Sequence, residues 1–186
     1  ERVRVDASGN VGIGTSSPAV KLDVNGSIKG AVTSGTAVAS TSGTSIDFTS
    51  IPSWVKRITV SFQGVSTNGS SAYLIRLGTS SGVVTTGYVS SSSQFNPTSG
   101  STSSTSGIIF NVDHANYVLN GNTIITKNNN DVWVASYSIG LTGVATGSTV
   151  GGGSVNLGGT LDRLRITTVN GTDTFDAGYI NILYEG

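Results

Sequence analysis

The sequence predicts an all-β fold: a short N-terminal region of brief strands over residues 1–35, then an antiparallel, jelly-roll-like β-sandwich over 36–186. Three observations predict it. Apolar and polar residues alternate with a period of two in a series of runs, and clusters of Gly, Asn, Ser and Asp bound each run. No stretch of useful length follows the apolar spacing of a helix.

The N-terminal strands are brief. Residues 1–5 alternate, 6–10 read as a turn, 11–15 form a short apolar step, and Pro18 breaks the pattern before 21–26 alternate again. Strands of three to five residues cannot bury their own side chains. Something else must therefore cover Val11, Ile13, Leu22, Val24 and Ile28. Longer strands follow over 56–63, 72–77, 83–90, 107–112, 122–127, 132–139, 161–169 and 174–184. In the first of these, Ile58, Val60 and Phe62 point one way and Arg57, Thr59, Ser61 and Gln63 the other. The last reads as apolar on both faces, with Phe175, Ala177, Tyr179 and Leu183 opposite Ile180, Ile182 and Tyr184. A second apolar face fits a threefold interface. Two segments are of low complexity: the Ser-rich 90–107, expected as a surface excursion that is either a mobile loop or a partner contact, and the Gly-rich 140–159.

Composition excludes several functions. Charged residues make up 11% of the 186, against about 25% in average proteins, and 10 basic residues cancel 10 acidic ones. Such a chain is poorly suited to nucleic acid or anionic membrane surfaces. With Cys 0 there is no disulfide, thiolate metal site or cysteine nucleophile. No window approaches the roughly 20 apolar residues that cross a bilayer, so no membrane insertion is expected. Hydrophobic content of 36% is low for a self-sufficient monomer and favours burial against further copies. The strand pattern already runs at Glu1, which reads as a fragment from the C-terminal part of something longer.

Residues 8–19 (SGNVGIGTSSPA) followed by 21–26 (KLDVNG) resemble a segment that recurs in bacteriophage tail-fibre and tailspike-like proteins. Residues 47–60 (DFTSIPSWVKRITV), 64–69 (GVSTNG), 85–88 (TTGY), 159–178 (GTLDRLRITTVNGTDTFDAG) and 181–185 (NILYE) are similar to a C-terminal β-sandwich module of phage and prophage fibres. The resemblance implies a slender trimeric connector joined to an upstream fibre shaft, and a distal tip on the virion that touches the bacterial surface. It implies a homotrimer that binds cell-surface polysaccharide or lipopolysaccharide, extracellular on host contact. Residues 90–130 match least and are where host-specific variation is expected. The rival reading is a purely structural virion module, either a head fibre or a trimer-capping domain.

Catalytic chemistry finds little support. Gly12-Ile-Gly14 lacks the helix and strand-helix-strand unit of a dinucleotide site. His114 is the single histidine, so no triad can be argued. Glycoside hydrolysis needs two facing carboxyls. Asp173 with Asp176, or Asp113 with Asp131, are the pairs to consider, against turn capping as the plain alternative. A depolymerase would need a long repetitive β-helix, for which there is no coil-length repeat. No enzyme, metal or cofactor is expected.

Sugar binding asks for an aromatic ring to stack on a pyranose and for amides and hydroxyls around it. Trp133 shares a strand face with Ala135, Tyr137 and Ile139 and reads as core; Trp54 reads as packing, within or between subunits. Tyr88, Phe95 and Tyr117, on or beside predicted loops, are the candidate ligand contacts, with the turns at Asn68 and Asn129 supplying amides. The expected trimer interface comprises Val11, Ile13, Leu22, Val24, Ile28, Ile180, Ile182 and Tyr184.

Overall fold

Strands alone, joined by turns and bends, make up the regular structure of the computed structural model, which describes residues 2–26, 32–96 and 100–186. Ile28, expected at the trimer interface, lies outside the described residues. Three short strands, β1 (Val3–Val5), β2 (Val11–Ile13) and β3 (Leu22–Val24), form an N-terminal sheet. Within it β2 pairs antiparallel with β1 and parallel with β3.

The remaining strands build two antiparallel sheets. In chain order they begin with β4 (Thr33–Ser34), β5 (Val38–Ala39), β6 (Ser45–Phe48), β7 (Arg57–Thr67) and β8 (Tyr73–Thr79). Next come β9 (Gly82–Val83), β10 (Val89–Phe95), β11 (Gly100–Ser104), β12 (Ile108–Phe110) and β13 (Val118–Lys127). The last four are β14 (Val132–Thr142), β15 (Gly147–Asn156), β16 (Arg163–Thr168) and β17 (Phe175–Glu185). The larger, 9-stranded sheet runs β11-β10-β15-β14-β13-β7-β17-β4, with β5 also on β17. The smaller, 5-stranded sheet runs β12-β8-β16-β6, with β9 on β8. From β6 to β13 the longer strands alternate between the sheets; β13, β14 and β15 then follow one another as a meander.

The two sheets enclose one core, the expected β-sandwich. Its aromatic centre crosses between layers. Phe110 of β12 lies 4.2 Å from the Tyr137 ring of β14 and 5.7 Å from Phe62 of β7, and Tyr73 of β8 meets Phe175 of β17 at 6.0 Å. Trp133, Ala135, Tyr137, Ile139 and Leu141 share the inner face of β14, and Trp54 packs on the edge of the same core.

The Ser-rich segment corrects the loop expectation. Much of 90–107 is β10 and β11, paired to each other and, through β10, to β15. Ser90, Ser92 and Gln94 alternate inward and are buried. The hydroxyl of Ser90 accepts from Ile109 N at 2.9 Å and that of Ser92 from Asn111 N at 2.8 Å, so they serve main-chain donors of β12 and of the residue that follows it. Tyr137 donates its hydroxyl to Ile109 O. Alternating serine was read as a loop because nothing in its polarity reveals a partner on the opposite sheet. The glycines of β15 belong to the same arrangement: a Cβ on Gly151 would sit 2.3 Å from Ser91 O and 2.5 Å from the Tyr137 hydroxyl.

The last strand corrects a second expectation. Its pairing with β7 is irregular between Phe175 and Tyr179, where Gly64 (φ 66°) and Gly178 (φ 90°) face each other. A Cβ on Gly178 would stand 2.4 Å from Gly64 O. The bulged stretch shifts the alternation, so Phe175 shares the inner face with Ile180 and Ile182. Ile180 and Ile182 are wholly buried in this chain's own sandwich, and Tyr184 packs half-buried against the same core. Ile180 and Ile182 are therefore not left over for a threefold interface, and Tyr184 is only partly so. After the bulge Tyr179, Asn181, Leu183 and Glu185 face outward, so the outer side of β17 mixes apolar with polar and charged residues.

Replacing Ser90 or Ser92 by Ala leaves a main-chain N–H of β12, or of the residue that follows it, unpaired. Each variant is expected to lose about 1–3 kcal/mol in urea unfolding, whereas Ser91→Ala, on the exposed side, should stay within about 0.5 kcal/mol. Equal effects at all three positions would contradict the inward seam.

Candidate functional site

The strand registers of the N-terminal sheet decide which side chains share a face. Val3 stands opposite Ile13 and Val5 opposite Val11, while Val11 and Ile13 stand opposite Leu22 and Val24. Directly opposed residues point the same way. One face of this small sheet is therefore Val3, Val5, Val11, Ile13, Leu22 and Val24. Val5 is 64% exposed and Leu22 57%, with Val3 and Ile13 also open to solvent. The opposite side is covered at its centre, because Gly12 is buried beneath Thr15 and Pro18. Asp6 holds the β1–β2 turn by accepting from Ser8 N at 2.8 Å and Asn10 N at 2.9 Å. The hydrogen bond from Asn10 N holds its carboxyl below the usual range. The expected residues Val11, Ile13, Leu22 and Val24 are thus brought together; Val3 and Val5 were missed, although the alternation of 1–5 carried the signal.

The loop candidates are dispersed. Tyr88 is buried between the sheets, where its hydroxyl accepts from Leu77 N at 2.7 Å and lies 3.2 Å from Val84 O. Its position beside a loop suggested exposure, and Thr85, Thr86 and Gly87 are indeed exposed, but the Tyr88 side chain turns inward from that loop. Tyr117 is also buried, its hydroxyl accepting from Asn96 Nδ2 at 2.6 Å and its ring edge-on to His114. Neither ring offers a face to a ligand. Phe95 is 55% exposed, on the outer face of β10.

Asn68 and Asn129 are both exposed but lie at opposite ends of the sandwich, since Asn68 follows β7 while Asn129 turns between β13 and β14 beside the start of β7. The 11 residues of β7 put them about 35 Å apart. Asn68 accepts from Thr174 N at 2.8 Å and caps a polar knot. There Asp173 accepts from Ser71 N at 3.0 Å and from Asn170 Nδ2 at 2.5 Å. Asp113 and Asp131 are likewise at opposite ends of β13, the first bound to Gln94 and the second to Lys127. Asp176, at the edge of the bulge, bonds the Ser66 hydroxyl.

The feature that sequence reading did not assemble is the outer face of the larger sheet. Across β17, β7, β13, β14, β15 and β10, Tyr179 pairs with Gln63 and Asn120, Gly140, Ser148 and Phe95 pair in turn; the β7–β13 register is irregular where Gln63 and Gly64 stand opposite Asn120, so the six form one row with a bulge in it. The adjacent row runs from Asn181 through Ser61, Asn122 and Ser138 to Val150 and Ser93. Ser61 donates to Asn122 Oδ1 at 2.7 Å, and Gly64 N donates to Asn120 Oδ1 at 2.8 Å, which orients both amides. No charged side chain stands in either row. The Arg57–Glu185 pair, 3.5 Å apart, marks the border at the start of β7. The smaller sheet is the opposite case, with Arg165 gripping Asp47 by two hydrogen bonds of 2.6 and 2.8 Å. Among the described residues there is no enclosed pocket and no cluster of His, Asp and Glu able to hold a metal ion.

No protein-family model, curated protein or solved structure matches the chain.

Burial pushes the hydroxyls of Tyr73, Tyr88 and Tyr137 up from the ordinary 10.0 to about 12. Between those values the unfolded chain has released these protons and the folded chain has not, so stability falls as pH rises. The contribution is complete below pH 10.0 and lost by about 12. Urea midpoints should hold up to pH 9 and drop steeply above 10, with the phenolate absorbance of Tyr73, Tyr88 and Tyr137 appearing together with unfolding. Titration of these three, assigned by Tyr→Phe variants, near 10 in the intact fold would contradict this.

Proposed function

We propose that this chain is the receptor-binding tip of a bacteriophage fibre: a non-enzymatic homotrimer that attaches the virion to polysaccharide or lipopolysaccharide on the bacterial surface. The reading rests on the resemblance of residues 8–26 and 159–185 to fibre connectors and sandwich modules, and on one observation that carries it. That observation is the registered apolar face of the N-terminal sheet, six side chains on three strands, of which Val3, Val5, Ile13 and Leu22 stay exposed in the single chain.

Fully burying one such side chain contributes about 1.5–3 kcal/mol. Association costs on the order of 4–15 kcal/mol. Three copies apposing these faces can offset that cost, and a parallel arrangement sends all three sandwiches the same way from an upstream shaft. The outer face of the larger sheet suits a sugar surface because amides and hydroxyls satisfy sugar hydroxyls, and three copies on one trimer raise avidity by roughly 10²–10⁴ over a single weak site.

Sedimentation and light scattering should give a trimer, and Val5→Asp or Ile13→Asp should dissociate it by burying an unpaired charge while each sandwich stays folded. Ile182→Asp should unfold the sandwich instead, because Ile182 lies in the core. A monomer at micromolar concentration would overturn the assembly. The intact protein should bind host cells and release no reducing ends from capsule or lipopolysaccharide. Absent cell binding would favour a structural virion module, and turnover would make it an enzyme.

A further inference from the structure

We propose that the outer face of the larger sheet is a binding track for a neutral oligosaccharide, lying across the strands between Tyr179 and Phe95. The inference rests on the glycan-binding reading above and moves the site from the loops to the sheet.

Stacking on a pyranose requires an aromatic ring in solvent, and Tyr179 and Phe95 provide one at 54% and 55% exposure. Both stand in a single row, five strand intervals apart, which is about 24 Å at the usual strand spacing. That length calls for an extended oligosaccharide touching both rings rather than one sugar in a cup. Near Tyr179 the bulge glycines Gly64 and Gly178 carry no side chain to shield the ring. Between the rings, Gln63 and Asn120 offer amides, Gly140 is bare backbone and Ser148 offers a hydroxyl. Asn120 is oriented by Gly64 N, so its amide nitrogen is the donor presented to a sugar oxygen.

Charge selects the ligand class. A uronic acid or phosphorylated sugar needs a cation to meet it. The nearest cation on this face of β7, Arg57, is six residues from Gln63, about 20 Å along the strand, and paired to Glu185. Neutral hexose units, with hydroxyls for the amides and a C–H face for the rings, are what this surface fits.

The test uses the full chain on a printed panel of neutral and uronic-acid oligosaccharides of two to six units, followed by titration of the best neutral hit. Neutral hexamers should be retained in preference to their dimers, and uronic-acid oligomers should not. Tyr179→Ala and Phe95→Ala should each weaken binding about fivefold to tenfold, and Tyr179→Phe should restore it. Asn120→Asp keeps the Gly64 hydrogen bond but removes the amide donors, and should also weaken binding. All four side-chain changes are at exposed positions, and unchanged urea midpoints and sedimentation verify the fold. Binding that survives both alanine variants overturns the track and leaves glycan attachment intact; a preference for uronic acids overturns the neutral ligand. Binding to nothing on the panel or on host cells overturns both this inference and the reading beneath it. A change in oligomeric state in Tyr179→Ala would identify the face as an interface between copies and overturn the track.

Discussion

Main-chain groups at the rim of a buried strand must find partners, and in this sandwich that requirement falls on β12. One side of β12 pairs with β8; the other side faces the larger sheet. There the donors of Ile109 and Asn111 are met by the Ser90 and Ser92 hydroxyls, and the Ile109 carbonyl by Tyr137. Much of the chemistry nearby follows. A hydroxyl on a one-carbon stem is the length that reaches a backbone on the opposite sheet, which suits serine at the inward positions 90 and 92 of β10. For the Tyr137 hydroxyl to pass between the layers, β15 must carry no side chain at Gly151. The result is a seam of hydrogen bonds beside an aromatic core, which ties the two sheets together.

Because the inner positions are committed to this seam and to the aromatic core, the outer positions of the larger sheet are freed from packing. Around Tyr179 and Phe95 they carry amides, hydroxyls and glycine, with Val89, Ile124 and Val134 exposed elsewhere on the face, rather than the lysines and glutamates that commonly keep a sheet face solvated and unpaired. The molecule places its charges elsewhere: on the smaller sheet as the Asp47–Arg165 pair, at the strand ends and on the N-terminal sheet. The bulge at Gly64 and Gly178 links the two faces. By shifting the alternation of β17 it sends Ile180 and Ile182 inward and leaves Tyr179 outward. A regular strand with Phe175 in the core would have reversed them.

The N-terminal sheet obeys the same logic with a different outcome. Its turns are closed locally, by Asp6 on Ser8 and Asn10 and by Asp23 on Ala19 N at 2.9 Å. Three strands of three residues have one face covered at Gly12 and the other bare. An exposed apolar face of this kind marks an interaction surface, which is why assembly is the property on which the functional reading turns.

The sequence by itself determined the all-β class, the long strands β7, β8, β13, β14, β16 and β17, the core role of Trp133 and the apolar set Val11, Ile13, Leu22 and Val24. Period-two alternation between turn residues is a local signal, and these elements are defined locally. Tertiary structure decided the rest. Burial of Tyr88 and Tyr117 depends on which way each side chain turns from its connecting segment, and the strand nature of 90–104 depends on hydrogen-bond partners far along the chain. The separation of Asn68 from Asn129 follows from strand direction. The row joining Tyr179 to Phe95 brings together residues 84 positions apart in the chain; only the order and register of six strands, set by burial of their inner faces, places them on one surface.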